Sequence, residues 1–223
     1  MLPDPATLQA RWMHDDWLIF IATGAFVGIV VYALIFLQFF LSRRKYEGHW
    51  PDQFKTNVAL EWTYTVIPLL IVLGLFILTM RVEHRVEDLT PNPDVTVNVT
   101  AFRWSWEFEY PQAGLRYAGT PLSSPTLVMP VDETTRINLT SSDVNHAFWI
   151  PGFLFKRDAI PGVLNSFDLH PTRIGTYPGS CAEFCGLDHA QMLFNVRVVS
   201  PSAFQSWLAS QRQTALLKRP HRT

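Results

Sequence analysis

Charge is what this chain has least of. Only 17% of its 223 residues are Asp, Glu, Lys or Arg, against 48% hydrophobic, where a soluble domain averages about 25% charged. Neither 17–41 nor 62–80 contains a single charged residue. A formal net charge of −1 argues against nucleic acid as a partner, which a basic surface would attract. Cysteine is nearly absent too: the chain has 2, Cys181 and Cys185, so whatever they do, they do with each other. There is no Cys-x-x-Cys-His segment to attach a haem, and no internal repeat or low-complexity tract.

The uncharged runs are long enough to cross a hydrocarbon core of roughly 30 Å as helices. They predict two transmembrane helices over 17–41 and 62–80, with Pro68 tolerated because neighbouring helices can cover the carbonyl it frees. The first run is too long, and its leading flank too acidic, for a cleaved signal peptide, so Met1 reads as the unprocessed start. The joining loop, 42–61, carries Arg43, Arg44, Lys45 and Lys55, whereas the segment 1–16 has only Arg11. After the second run, Arg81 and Arg85 are diluted by Glu83, Glu87 and Asp88. Excess cations mark the cytoplasmic side, which places both termini outside.

The texture changes at about Pro91. Val95-Thr96-Val97-Asn98-Val99 alternates strictly and 101–110 is dense in aromatics, both strand signals. Apolar runs at 127–129, 137–139, 147–150 and 193–199 follow, separated by Pro and Gly. The segment 91–200 therefore reads as an all-β Greek-key sandwich or barrel. Within the tail 201–223, residues 202–219 read as a short helix with Phe204, Trp207 and Leu208 on its apolar side.

Chemistry concentrates in Cys181-Ala182-Glu183-Phe184-Cys185-Gly186-Leu187-Asp188-His189-Ala190-Gln191-Met192. In an oxidising compartment two cysteines suggest a disulfide, but a disulfide needs neither His189 nor Met192. Zinc suits thiolate and imidazole yet takes a thioether poorly, and the full set favours copper. One further ligand should come from a distant loop. Of the 7 histidines, His14, His49 and His84 lie beside the spans and His221 in the tail. His170 sits before Pro171 in a polar loop and reads as a surface residue. His146, at the mouth of the apolar Ala147-Phe148-Trp149-Ile150 run, is the choice.

His146, Cys181, Glu183, Cys185, His189 and Met192, behind a two-helix hairpin, resemble subunit II of the haem-copper oxidases, the branch carrying a binuclear copper A centre. The resemblance covers roughly four fifths of the chain, from the hairpin to Val199. It implies a cupredoxin-like barrel in which two thiolates bridge two copper ions. Each histidine binds one copper, Met192 caps one and the Glu183 backbone carbonyl the other. It further implies that the Glu183 side chain binds a magnesium shared with the catalytic subunit. In Arg103-Trp104-Ser105-Trp106-Glu107-Phe108-Glu109-Tyr110, Trp104 resembles the point where electrons arrive, while Trp106 reads as a sheet-face aromatic. Glu61, in Glu61-Trp62-Thr63-Tyr64-Thr65-Val66-Ile67-Pro68, resembles the entrance of a proton pathway. The segment Lys156-Arg157-Asp158-Ala159-Ile160-Pro161-Gly162 matches one that faces the catalytic subunit.

The implied function is to take electrons from cytochrome c or a similar carrier and pass them to haem in subunit I, with subunit III as a further partner. Oxygen is then reduced to water with proton translocation, at a bacterial plasma membrane. A copper A subunit of a membrane nitric oxide reductase is the alternative, whereas copper-free quinol-oxidase subunits lack these ligands. Alone, the chain has no oxygen site. One departure stands out: 111–120 contains Arg116 and no acid, where mitochondrial members are acidic to dock a basic cytochrome c.

Overall fold

A computed structural model describes residues 4–43 and 55–217, with side chains through 214. Arg44, Lys45, His49, His221, Met1 and the predicted helix end at 218–219 lie outside the described residues. The chain forms two compact units: residues 15–83 make one, and the flanking chain on both sides makes the other.

The first unit is made by most of two helices, α1 (Leu8–Leu41) and α2 (Val58–Glu87), both apolar enough to cross a membrane. At 34 residues and ~1.5 Å rise per residue, α1 is ~50 Å long. Both helices begin ahead of the uncharged stretches 17–41 and 62–80, and polar residues cap both N-termini. Asn57 accepts a hydrogen bond from the Leu60 amide at 3.1 Å, and Glu61 reaches back to the Asn57 amide at 3.2 Å, a reciprocal cap of the helix N-terminus. Glu61 therefore belongs to the first turn of α2, not to the loop 42–61.

The second unit is a sandwich of two five-stranded sheets. One has the order β3-β2-β1-β5-β8, from β1 (Val95–Phe102), β2 (Ser105–Tyr110), β3 (Leu115–Ala118), β5 (Thr135–Ser141) and β8 (Asn165–Leu169). The other is β4-β10-β9-β6-β7, from β4 (Thr126–Pro130), β6 (His146–Ile150), β7 (Phe155–Ala159), β9 (Gly175–Cys181) and β10 (Leu193–Val199). Period-two burial fixes the register: Val95, Val97, Val99 and Ala101 face inward, as do Trp106, Phe108 and Tyr110 from β2. Opposite them Phe194 stacks on Phe148 at 4.6 Å and meets Trp106 edge-on at 5.2 Å. Tyr110 joins the sheets, its hydroxyl donating to the Val128 carbonyl (2.8 Å) and accepting from the Val128 amide (2.9 Å). Helix α3 (Pro201–Leu217) covers that edge with Phe204 and Trp207 against Tyr110, while Arg212 donates to the carbonyls of Ala113 and Gln112 at 2.8 and 2.9 Å. Two apolar helices, a cupredoxin-like β domain and a short C-terminal helix are thus all present.

Four strands lie outside the predicted apolar runs: β3, β7, β8 and β9. The last holds Pro178 and Gly179, which sequence pattern reads as punctuation. Toward β6, however, β9 is paired only through Cys181 and Ser180, so Pro178 sits where a missing N–H is tolerated. Gly179 is required because the Phe194 ring occupies the space a Cβ would take. The segment 1–16 departs from expectation as well: Thr7 bridges Pro171, the Leu8 amide donates to the His170 carbonyl at 3.0 Å, and Thr7 caps α1. His170 is accordingly half-buried, with Nδ1 3.1 Å from the Thr134 hydroxyl.

Replacing Phe194 with Ala removes the shared partner of three aromatic rings and should destabilise the β unit by about 3–5 kcal/mol, read from denaturant unfolding by tryptophan fluorescence.

Buried Asp168 pairs bidentately with Arg136 and accepts from the Thr90 amide at 2.6 Å. Burial alone would raise its pKa, but Arg136 and the Thr90 amide outweigh it and hold the carboxyl below its ordinary range. A depressed folded-state pKa contributes stability that is complete above about pH 4 and is lost as pH falls through the folded value. Acid titration of unfolding should show this loss, and Asp168→Asn should be less stable at neutral pH with a shallower acid limb.

Candidate metal centre

Strand pairing carries the site. Phe148 pairs with Cys181, and the Ala182 amide donates to the Ala147 carbonyl at 3.0 Å, which sets His146 at the start of β6 against Cys181 at the end of β9. The loop that follows is closed at its neck by a 3.0 Å bond from the Cys181 amide to the Met192 carbonyl. Inside it, Gly186 adopts φ +120°, a conformation L side chains rarely take. A 3-10 turn over His189–Gln191 then returns the chain.

These constraints bring the sulfur and nitrogen donors together. Cys181 Sγ lies 3.7 Å from His146 Nδ1, 3.9 Å from Cys185 Sγ and 3.2 Å from the Glu183 carbonyl oxygen. Cys185 Sγ lies 3.5 Å from His189 Nδ1 and 3.8 Å from Met192 Sδ. The thiols are free, far beyond the ~2.05 Å of a disulfide. The ligand atoms of His146, Cys181 and Cys185 all fall within 4.8 Å of one another. His146 and Met192 are fully buried and both cysteines nearly so. Two thiols, two imidazoles, a thioether and a carbonyl, converging in a largely dry pocket, form a donor set that fits copper.

The electrostatics favour ionised sulfur on one side. Burial pushes the Cys181 thiol up, but His146 and the neighbouring backbone outweigh it, bringing its pKa to about 7. The Cys185 thiol is pushed up to about 12 by burial and by the adjacent Cys181. A cation is what lets both thiols ionise together.

Asp143 is the residue that motif reading missed. Its Oδ1 is 2.9 Å from His146 Nε2, and its Oδ2 accepts from the Arg103 amide (2.8 Å) and guanidinium (3.2 Å). Burial raises the Asp143 carboxyl, yet His146, the Val144 and Arg103 amides and the Arg103 side chain together hold it well below the carboxylate range. A carboxylate so placed orients the imidazole through the ring nitrogen that faces away from Cys181. Its signal in sequence was its position three residues before His146.

Trp104, half-buried, donates from Nε1 to the Cys185 carbonyl at 3.2 Å. Trp106 is fully buried, packed against Phe148 and Phe194, as a core aromatic. The Glu183 side chain is exposed and joins no cluster of ligating groups among the described residues. Lys156 to Ala159 form the edge strand β7, with Arg157 paired to Glu87. Glu61 belongs to the helical unit.

Comparison with known proteins points to one family. The family described as cytochrome c oxidase subunit II, periplasmic domain, matches residues 122–199. The probable cytochrome c oxidase subunit 2 of Streptomyces avermitilis is 40% identical over 251 residues, spanning 93% of this chain and 77% of the relative. Cytochrome c oxidase subunit 2 of Mycobacterium tuberculosis is 30% identical over 265 residues, spanning 92% and 73%. The crystal structure of the periplasmic domain of subunit II of cytochrome oxidase from Bradyrhizobium japonicum superposes with a TM-score of 0.53 at 32% identity, covering 56% of this chain and 99% of that one. Subunit II in a mixed disulfide with a thioredoxin-like protein gives 0.51 at 34% identity, covering 57% and 98%.

Because Asp143 fixes the His146 ring from the side away from the sulfurs, Asp143→Ala should leave the fold intact and weaken copper retention about 10–100-fold, measured by competition with a copper chelator.

Proposed function

Since the chain belongs to the cytochrome c oxidase subunit II family, we propose that it is the electron-accepting subunit of a respiratory terminal oxidase. It takes electrons from cytochrome c or a similar soluble carrier and hands them to haem in the catalytic subunit, where oxygen is reduced to water with proton translocation. His146, Cys181, Cys185, His189, Met192 and the Glu183 carbonyl would hold two copper ions, which supply a one-electron relay. The observation that carries this reading is the convergence of those donors at 3.2–3.9 Å from the two sulfurs.

The protein's own part is to keep the donors still. His146 is clamped between Cys181 and Asp143, and Cys181 is held at the end of a strand. Donors that stay in place make electron exchange cheap in reorganisation. Met192, a neutral thioether in a dry setting, tunes potential more than it retains metal. Trp104 touches the metal loop through the Cys185 carbonyl and receives the electron.

Two roles rest on the family pattern. The exposed Glu183 side chain would bind magnesium together with the catalytic subunit. Glu61, in the first turn of an apolar helix, would open a proton pathway, since an acid near hydrocarbon is costly without use. The two apolar helices and the likeness to a periplasmic domain support a membrane subunit with the β unit and both termini outside.

Purification from membranes should yield a co-eluting haem protein that consumes oxygen with reduced cytochrome c. Consumption of nitric oxide in its place would redirect the reading. Met192→Leu should keep copper with an altered potential, whereas Cys185→Ser should lose the native centre. Full copper content with a native spectrum in the cysteine variant would overturn the assignment.

A further inference from the structure

The chain up to His14 and from His84 onward belongs to the same compact unit as the sandwich. Where the first turns of α1 and the end of α2 meet the end of β8, they line a cavity of about 310 Å³, at the lower end of the ~300–1,000 Å³ common for ligand sites. Its depth is informative. Trp12 stands five residues ahead of the uncharged run 17–41, and Arg85 five beyond the run 62–80. At ~1.5 Å per helical residue, both lie ~7 Å past the hydrocarbon, within the polar layer that adds ~5–8 Å on each side of a bilayer core. Tryptophan is enriched at that level.

Some polar groups around the cavity are already engaged. Asp168 is held by Arg136 and the Thr90 amide, and His170 Nδ1 lies 3.1 Å from the Thr134 hydroxyl. Others are not. Gln9 is only 7% exposed, and its Oε1 accepts from the His170 amide at 3.1 Å while its Nε2 has no partner among the described residues. The Trp12 indole N–H and the side chains of Arg85 and Asp88 likewise have no hydrogen-bonding or ion-pair partner among those residues. A buried amide, an indole and a guanidinium are donors for a phosphate, and Asp88 is an acceptor for an ammonium. The charges of Arg85 and Asp88 cancel, as do those of Arg136 and Asp168, so the cavity offers no net attraction to an anionic head group.

We propose that this cavity binds the head group of a zwitterionic phospholipid carrying a primary amine, with the phosphate on Arg85, Gln9 and Trp12 and the ammonium on Asp88. This rests on the membrane-spanning reading of the two helices given above. A cavity of that size takes the head alone and leaves the acyl chains to the hydrocarbon.

The test uses the assembled complex purified from membranes and stripped of loosely held lipid in neutral detergent. Dihexanoyl phosphatidylethanolamine is titrated in, with native mass spectrometry as the readout, beside the matching phosphatidylglycerol and phosphatidylcholine, free glycerophosphoethanolamine and inorganic phosphate. The tightest site should favour the ethanolamine lipid over every other probe by about tenfold or more. Arg85→Gln should weaken it by about tenfold or more, the scale of one charge-assisted hydrogen bond. Asp88→Asn should bring the ethanolamine and choline lipids within about threefold of each other. The copper spectrum should stay native in both variants. Unchanged binding in both, a preference for the glycerol lipid, or equal binding of the free head group or of phosphate would overturn the proposal. Release of the wild-type chain from membranes by alkaline carbonate without detergent would instead sink the membrane-spanning reading on which it rests.

Discussion

Everything at the metal end depends on one short stretch of strand pairing, Phe148 with Cys181 and Trp149 with Ser180. It is the only ladder between β6 and β9, and it decides which residue of β6 faces the first cysteine. A register slip of one residue would turn His146 outward and Ala147 inward. Two devices guard against that. The Ala182 amide bonds the Ala147 carbonyl just beyond the ladder, and Phe148 is locked in the core by Phe194 and Trp106. The packing of the core and the position of the ligand are therefore one constraint. Met192 joins it from the other side, since its carbonyl closes the neck of the loop while its sulfur lies 3.8 Å from Cys185.

Burial gives this geometry its chemical force. Two thiols 3.9 Å apart in a poorly solvated pocket resist ionising together, which is why the Cys185 pKa is driven to about 12 when Cys181 is already depressed to about 7. Like charges at such range in low dielectric are costly. A cation placed between the two sulfurs would lower that cost. Asp143 extends the arrangement outward: a carboxylate on the far nitrogen of His146, itself neutralised by Arg103, keeps the imidazole aimed without leaving net charge on the surface. The same carboxylate holds Arg103, the neighbour of Trp104, so the His146 ring and the β1–β2 connection are fixed by one residue.

What could be read from sequence followed from local pattern. Strict alternation marked β1, and the aromatics of β2 announced a heavily buried face. Uncharged length marked the helices, and ligand softness marked the metal loop. His146 could be chosen because only that histidine adjoined an apolar strand. What escaped was decided by tertiary neighbours. Pro178 and Gly179 look like a turn until β10 supplies Phe194 above the glycine and the short β6 ladder leaves the proline's edge free. Strands β3, β7 and β8 carry charged or polar outward residues in short runs, too brief for periodicity to register. Residues 4–10 read as part of an outer N-terminal segment, yet Ala6, Thr7 and Ala10 are fully buried, because the β unit supplies carbonyls from Gly152 and His170 for the Ala6 and Leu8 amides to bond.

Those buried leading residues show how the β unit divides its labour. Loops at one end of the sandwich hold the metal loop and Trp104. The opposite loops, at Gly152 and at His170 to Thr172, bind residues 6–9, while Asp168 and Arg136 grip Thr90 where the chain re-enters from α2. Residues 6–9 and Thr90 are therefore fastened at the end of the sandwich away from the cysteine loop. An attachment made there can bear strain without disturbing donors whose useful property is that they do not move. A cluster whose donors must hold their spacing is best served by a scaffold whose fixed points lie elsewhere.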